Sequence, residues 1–64
     1  MNLSLRLEEY IKVGEIIKHR WTGELFIVLS VKLDVPSVLV YSAEDKRRKI
    51  IYGVTCVRDY AVVR

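Results

Sequence analysis

"ELFIVLSVKLD", residues 24–34, is the stretch on which the fold turns. Its odd positions, Leu25, Ile27, Leu29, Val31 and Leu33, are all apolar, while the even set, Glu24, Phe26, Val28, Ser30, Lys32 and Asp34, is mainly polar. Side chains on a strand alternate between faces, so the pattern predicts a β-strand whose odd side chains line a core. Phe26 and Val28 interrupt the polar side, which implies that part of it is covered as well.

Working outward, "SVLVYS" at 37–42 predicts a second strand, with Pro36 closing the loop before it. Leu39 and Tyr41 fall on one face, Val38 and Val40 on the other. "RRKIIYGVTCV" at 47–57 reads as a third, longer strand, with Gly53 marking a bulge or a sharp change of direction. The polar "AEDK" between them suits a tight turn. Upstream, "VGEIIKHRW" at 13–21 is a strand ending at "WTGE", where Gly23 can take a positive φ. "YAVVR" at 60–64 is a closing edge strand, reached through one turn of 3₁₀ helix near "VRDY". The first twelve residues are read as an extended segment or short strand, since Leu3, Leu5 and Leu7 alternate; a short helix capped by Ser4 is the alternative. Closing a sheet removes exposed edges that so short a chain could not otherwise cover. The expectation is therefore all-β: a single domain over 1–64, with an N-terminal extension at 1–12 and a five-stranded antiparallel barrel at 13–63, in the strand order of an SH3-like barrel.

Composition narrows the chemistry. A core of this size supplies roughly 3–5 kcal/mol, and small domains often add disulfides or a metal. With one Cys and one His, neither a disulfide framework nor a four-ligand zinc site can be assembled. An apolar fraction of 52% instead supports a β-rich core, an interface, or both. Eleven bases against eight acids leave a net charge of only +3, a mild preference for acidic partners. No run approaches the ~20 apolar residues of a membrane helix, and "MNLSLRLEEYIK" lacks the pattern of a signal peptide. A lone unpaired Cys agrees with a reducing, cytoplasmic setting.

"VGEIIKHRWTGELFIVLSV" followed by "VLVYS" resembles the small SH3-like barrels of KOW-type domains and of many short tailed-phage proteins. The shared pattern is a Gly–acid pair opening the first strand, a charged turn with Gly, then a long apolar strand. In one respect the chain departs from it: Phe26 stands where KOW domains carry a second glycine, which argues against a KOW-type RNA or transcription-complex role. The phage-type resemblance implies a small non-enzymatic component, either of the virion or acting on a host protein, and supplies no catalytic motif.

No catalytic, cofactor or metal site is expected. His19 lacks a partner pattern for general-base work, no Ser, Thr or Cys sits in a nucleophile's setting, and there is no glycine-rich phosphate loop. Cys56 reads as a small buried hydrophobe. Two binding surfaces remain. A protein-contact surface would combine Trp21, Phe26, Tyr41 and Tyr52, rimmed by Arg20 and Arg47, with Tyr60 as a further aromatic. It would take a protein partner or a second copy, with no membrane and no small-molecule substrate. The alternative is a nucleic-acid surface of Lys18, Arg20, Lys46, Arg47, Arg48 and Lys49. Strand alternation divides the basic run, placing Arg47 and Lys49 on one face and Lys46 and Arg48 on the other, with Glu44 and Asp45 close enough to offset part of the charge. The solvated tip of a hairpin is the simpler reading of that run.

Overall fold

In the computed structural model, which describes residues 10–63, the apolar stretch at 24–34 becomes β2 (Leu25–Lys32), the longest strand of the sheet. The other strands are β1 (Ile16–His19), β3 (Ser37–Ser42), β4 (Arg47–Tyr52) and β5 (Tyr60–Val63), and a helix α1 (Gly53–Asp59) separates β4 from β5. All pairings are antiparallel, in the order β4-β3-β2-β1-β5. A mostly β domain with five antiparallel strands agrees with the sequence. The expectation for 1–12 falls almost wholly outside the described residues.

The buried face of β2 is the opposite of the one its composition suggests. Phe26 and Val28 are buried, whereas Leu25, Ile27 and Leu29 are exposed. Register explains the inversion. Phe26 pairs with Ile17 and Ser42, and Val28 with Val40, so the even side chains share a face with the most buried residues of the neighbouring strands. A bulge between Val28 and Ser30 then changes the phase, and Val31 rather than Ser30 turns inward opposite Val38. Such bulges bend the strand and increase its twist. The inner faces of all five strands meet Ile11 and Cys56 in one cluster.

Beyond Tyr52 the chain does not continue as a strand. The expected strand over 47–57 ends at Tyr52, and Gly53–Asp59 forms an α-helix of seven residues, longer and earlier than the expected 3₁₀ turn. Val54, Thr55 and Val57 favour strands, yet the buried residues Gly53, Cys56 and Tyr60 recur at the three- and four-residue spacing of a helix. Gly53 lies against the loop before β3 and donates its N–H to the Pro36 carbonyl at 2.7 Å. At the far end the Arg20 guanidinium donates to the Arg58 carbonyl at 3.0 Å and to the Tyr10 hydroxyl at 3.3 Å, satisfying a helix-end acceptor. β1 is likewise shorter than the expected 13–21, because the chain turns at 20–23 with Gly23 at φ 77°.

The β3–β4 turn contains the one non-glycine residue with positive φ among those described, Lys46 at 55°. A Cβ is disfavoured there. Lys46→Gly is therefore expected to stabilise the domain by about 0.5–1 kcal/mol despite glycine's greater unfolded-state entropy, read as a higher urea midpoint at unchanged slope.

Candidate functional site

Two surfaces carry the exposed side chains of interest. The first is the outer face of the sheet. One cross-strand row runs Val63, Ile16, Ile27, Tyr41 and Arg48, and beyond the bulge follow Ser30, Leu39 and Ile50, then Lys32, Ser37 and Tyr52. Leu25 at 51%, Ile50 at 58% and Tyr52 at 63% are exposed, and Ile16, Ile27 and Val63 join them. These strands thus carry apolar side chains on both faces, and α1 covers only the inner one. A groove of about 380 Å³ opens on this outer face between Leu39, Ile50, Tyr52 and Val35, with Ser30, Lys32 and Ser37 completing it. The charged strand residues on this face, Lys18, Lys32 and Arg48, are all cationic.

The second surface lies at the β1–β2 end of the inner face. Trp21 is 70% exposed. Its ring centroid lies 5.6 Å from that of His19, which meets Tyr60 edge-on at 5.0 Å; Tyr60 in turn meets Phe26 at 5.7 Å. Lys49 Nζ completes the series 5.6 Å from the centre of the Phe26 ring, within reach of a cation–π attraction. The turn holding Trp21 is braced locally. The backbone N–H groups of Trp21 and Thr22 both donate to His19 Nδ1, at 3.3 and 3.2 Å, and the Gly23 N–H donates to the His19 carbonyl. Two backbone donors on one ring nitrogen require that nitrogen to be unprotonated, which leaves the ring proton on Nε2.

The residues expected to form one contact surface are therefore divided. Tyr41 and Tyr52 belong to the outer face, Trp21 to the ring series beside His19, and Arg20 to the end of α1. Phe26 is a core residue, only 2% exposed, so it cannot serve as a contact; its surface is spent on Tyr60, Lys49 and the rest of the cluster. Tyr60 is buried too, and does not extend an aromatic groove. The basic residues are similarly dispersed. Arg47 and Lys49 share the inner side of β4, as alternation requires, while Arg48 and Lys18 face outward and Lys46 sits in the turn. Glu44 and Asp45 do not pair with them; Asp45 instead donates its backbone N–H to Ser42 Oγ, which itself donates to Glu24 Oε2. Ile16, Ile27, Leu29, Ile50 and Val63 are the surface residues that the sequence reading missed. Their signal was present, since the strands are apolar at both odd and even positions.

Burial pushes the Cys56 thiol up to about 11, keeping it protonated among its packed neighbours. Among the described residues no group of three or more His, Cys, Asp or Glu side chains is placed to hold a metal ion, and no helix is long and apolar enough to cross a membrane. Compared with known proteins, the chain matches no family model, no curated protein and no solved structure.

Proposed function

We propose that this chain is a non-enzymatic protein-interaction module built on a small SH3-like barrel, and that its contact surface is the outer face of β2, β3 and β4. The observation that carries the reading is the exposure of Leu25, Ile27, Ile50 and Tyr52 on strands whose opposite faces already make the core. Soluble monomers rarely leave contiguous apolar patches beyond a few hundred Å² uncovered, and larger ones mark binding surfaces. Support for an SH3-like arrangement comes from the helix between β4 and β5 and the bulge that bends β2, while among the described residues the end strands β4 and β5 do not pair with each other.

The test is affinity capture by the wild-type chain and by the I27K/I50K double variant. Both positions are exposed, so the variant is expected to stay folded, within about 1 kcal/mol of the wild type, as checked by thermal melting. It is expected to lose a specific protein that the wild type retains. Identical capture by both would overturn the assignment.

A second reading, nucleic-acid binding, is favoured by the exposed Trp21 at the head of the ring series that ends at Lys49, beside Arg47. Aromatic rings next to cations bind single strands by stacking. That reading requires affinity for labelled oligonucleotide to fall with salt, at a log–log slope of about −0.7 per phosphate on single strands, and to drop in Trp21→Ala. Absence of binding at low salt removes it.

A further inference from the structure

We propose that β4 is a docking edge for an extended segment of another protein, one that carries consecutive acidic side chains beside apolar ones and pairs with β4 as a sixth strand. The proposal rests on the interaction-module reading and names the place and chemistry of the contact. Three observations converge on it. First, β4 lies at the end of the sheet, and among the described residues it pairs with β3 alone. In an antiparallel ladder alternate residues of such a strand direct their N–H and C=O groups outward, a row of main-chain groups that an added strand can satisfy. The opposite edge, β5, is shorter, and the Tyr60 carbonyl already accepts from the Tyr10 hydroxyl.

Second, the first half of β4 is cationic on both faces. Arg47 and Lys49 lie on the inner side and Arg48 on the outer, all exposed, and neither arginine meets a carboxylate among the described residues. Charged edges commonly deter pairing between like edges. Two copies of β4 paired in parallel would oppose bases with bases, and paired antiparallel each basic half would meet Ile50–Tyr52 of the other and find no opposite charge. The charge favours an acidic strand over a second copy, since only the acidic strand places carboxylates opposite it, its alternating side chains meeting Arg48 on one face and Arg47 and Lys49 on the other. A phosphate backbone following one face of the strand would meet only part of that set.

Third, the second half of β4 turns apolar where the outer groove begins. Ile50 and Tyr52 are exposed and line the cavity together with Leu39 and Val35. An apolar side chain on the added strand would pack beside Ile50 and Tyr52, fixing the register that main-chain hydrogen bonds alone leave free to slip.

The experiment uses the full chain, labelled with ¹⁵N, and synthetic hexapeptides matched to the length of β4. One peptide has three apolar β-formers followed by three glutamates, a second has the reverse order, and a third replaces glutamate by lysine. The expected result is saturable shifts from one of the glutamate peptides, with alternate β4 amides newly protected from exchange. The lysine peptide should bind at least about tenfold more weakly, and R47E/R48E should reverse that preference. Backbone N-methylation of the glutamate peptide, which removes its donors and keeps its charge, should abolish binding. The proposal is overturned by no binding of either glutamate peptide, by equal binding of the lysine peptide, by shifts at Ile16 and Ile27 without protection of β4, by self-association through β4, or by an oligonucleotide outcompeting the peptides there. If the peptides fail while capture still depends on Ile27 and Ile50, only the edge assignment is lost; if that capture fails as well, the module reading falls with it.

Discussion

Phe26→Ala is expected to leave the domain largely unfolded at room temperature. Truncating a buried phenylalanine costs about 3–5 kcal/mol, through lost transfer energy and the cavity left behind. That equals the roughly 3–5 kcal/mol that a core of this size provides. Phe26 has few ways to be replaced by relaxation. It meets Tyr60 edge-on, carries Lys49 over its ring, and is flanked in register by Ile17 and Ser42. The neighbouring Ile27→Thr, by contrast, should cost less than about 1 kcal/mol, because its side chain is already 42% exposed and threonine keeps the β-branched shape. Circular dichroism and urea melts on the two variants test the face assignment of β2 directly. Equal destabilisation, or a larger loss at Ile27, would reverse it.

The second large effect is expected at Gly53. In an ordinary helix the change from glycine to alanine is stabilising, by up to about 1 kcal/mol. Here the sign should invert. A Cβ on Gly53 would stand 2.9 Å from Pro36 Cβ and 3.2 Å from the Pro36 carbonyl oxygen, which the Gly53 N–H holds close at 2.7 Å. Overpacking of this kind costs about 1–3 kcal/mol. At about 4–8 °C per kcal/mol for a domain of this size, Gly53→Ala should lower Tm by several degrees at least. Pro36→Gly removes the nearest opposing atom, so the double variant should lose less than the sum of the two single changes. Strict additivity would show that the approach at Gly53 does not limit stability. The contact matters beyond its own energy, because it ends β4 and starts α1, and so leaves Tyr52 facing the outer groove.

How much of this was legible in the sequence differs from residue to residue. The strands at 25–32 and 37–42, the turn at Gly23 and the split of Arg47 and Lys49 from Arg48 all follow from local alternation and turn chemistry. Alternation is a property of the regular strand itself, so it holds wherever pairing is regular and slips only at the bulge after Val28. The helix at 53–59 was harder to see, since Val54, Thr55 and Val57 argue locally for a strand and the competing signal is only the spacing of Gly53, Cys56 and Tyr60. The division of the aromatic residues was not legible at all. Tyr41, Tyr52 and Tyr60 look alike in sequence, yet pairing sends the first two outward, and Tyr60 beside His19 into the core.

The sequence by itself determined that this chain is rich in strands, roughly where each one lies, and, away from the bulge of β2, which side chains of a strand share a side. Only the tertiary structure decided which side is the inside. β2 and β3 are apolar on both faces, and among the described residues α1 and Ile11 cover just one of them. Register across β1, β2 and β3, with the bulge after Val28, selects the face of Phe26 and Val28 for that cover. Counting apolar positions along β2 alone points to the other face, because the selection depends on partners that lie in other strands.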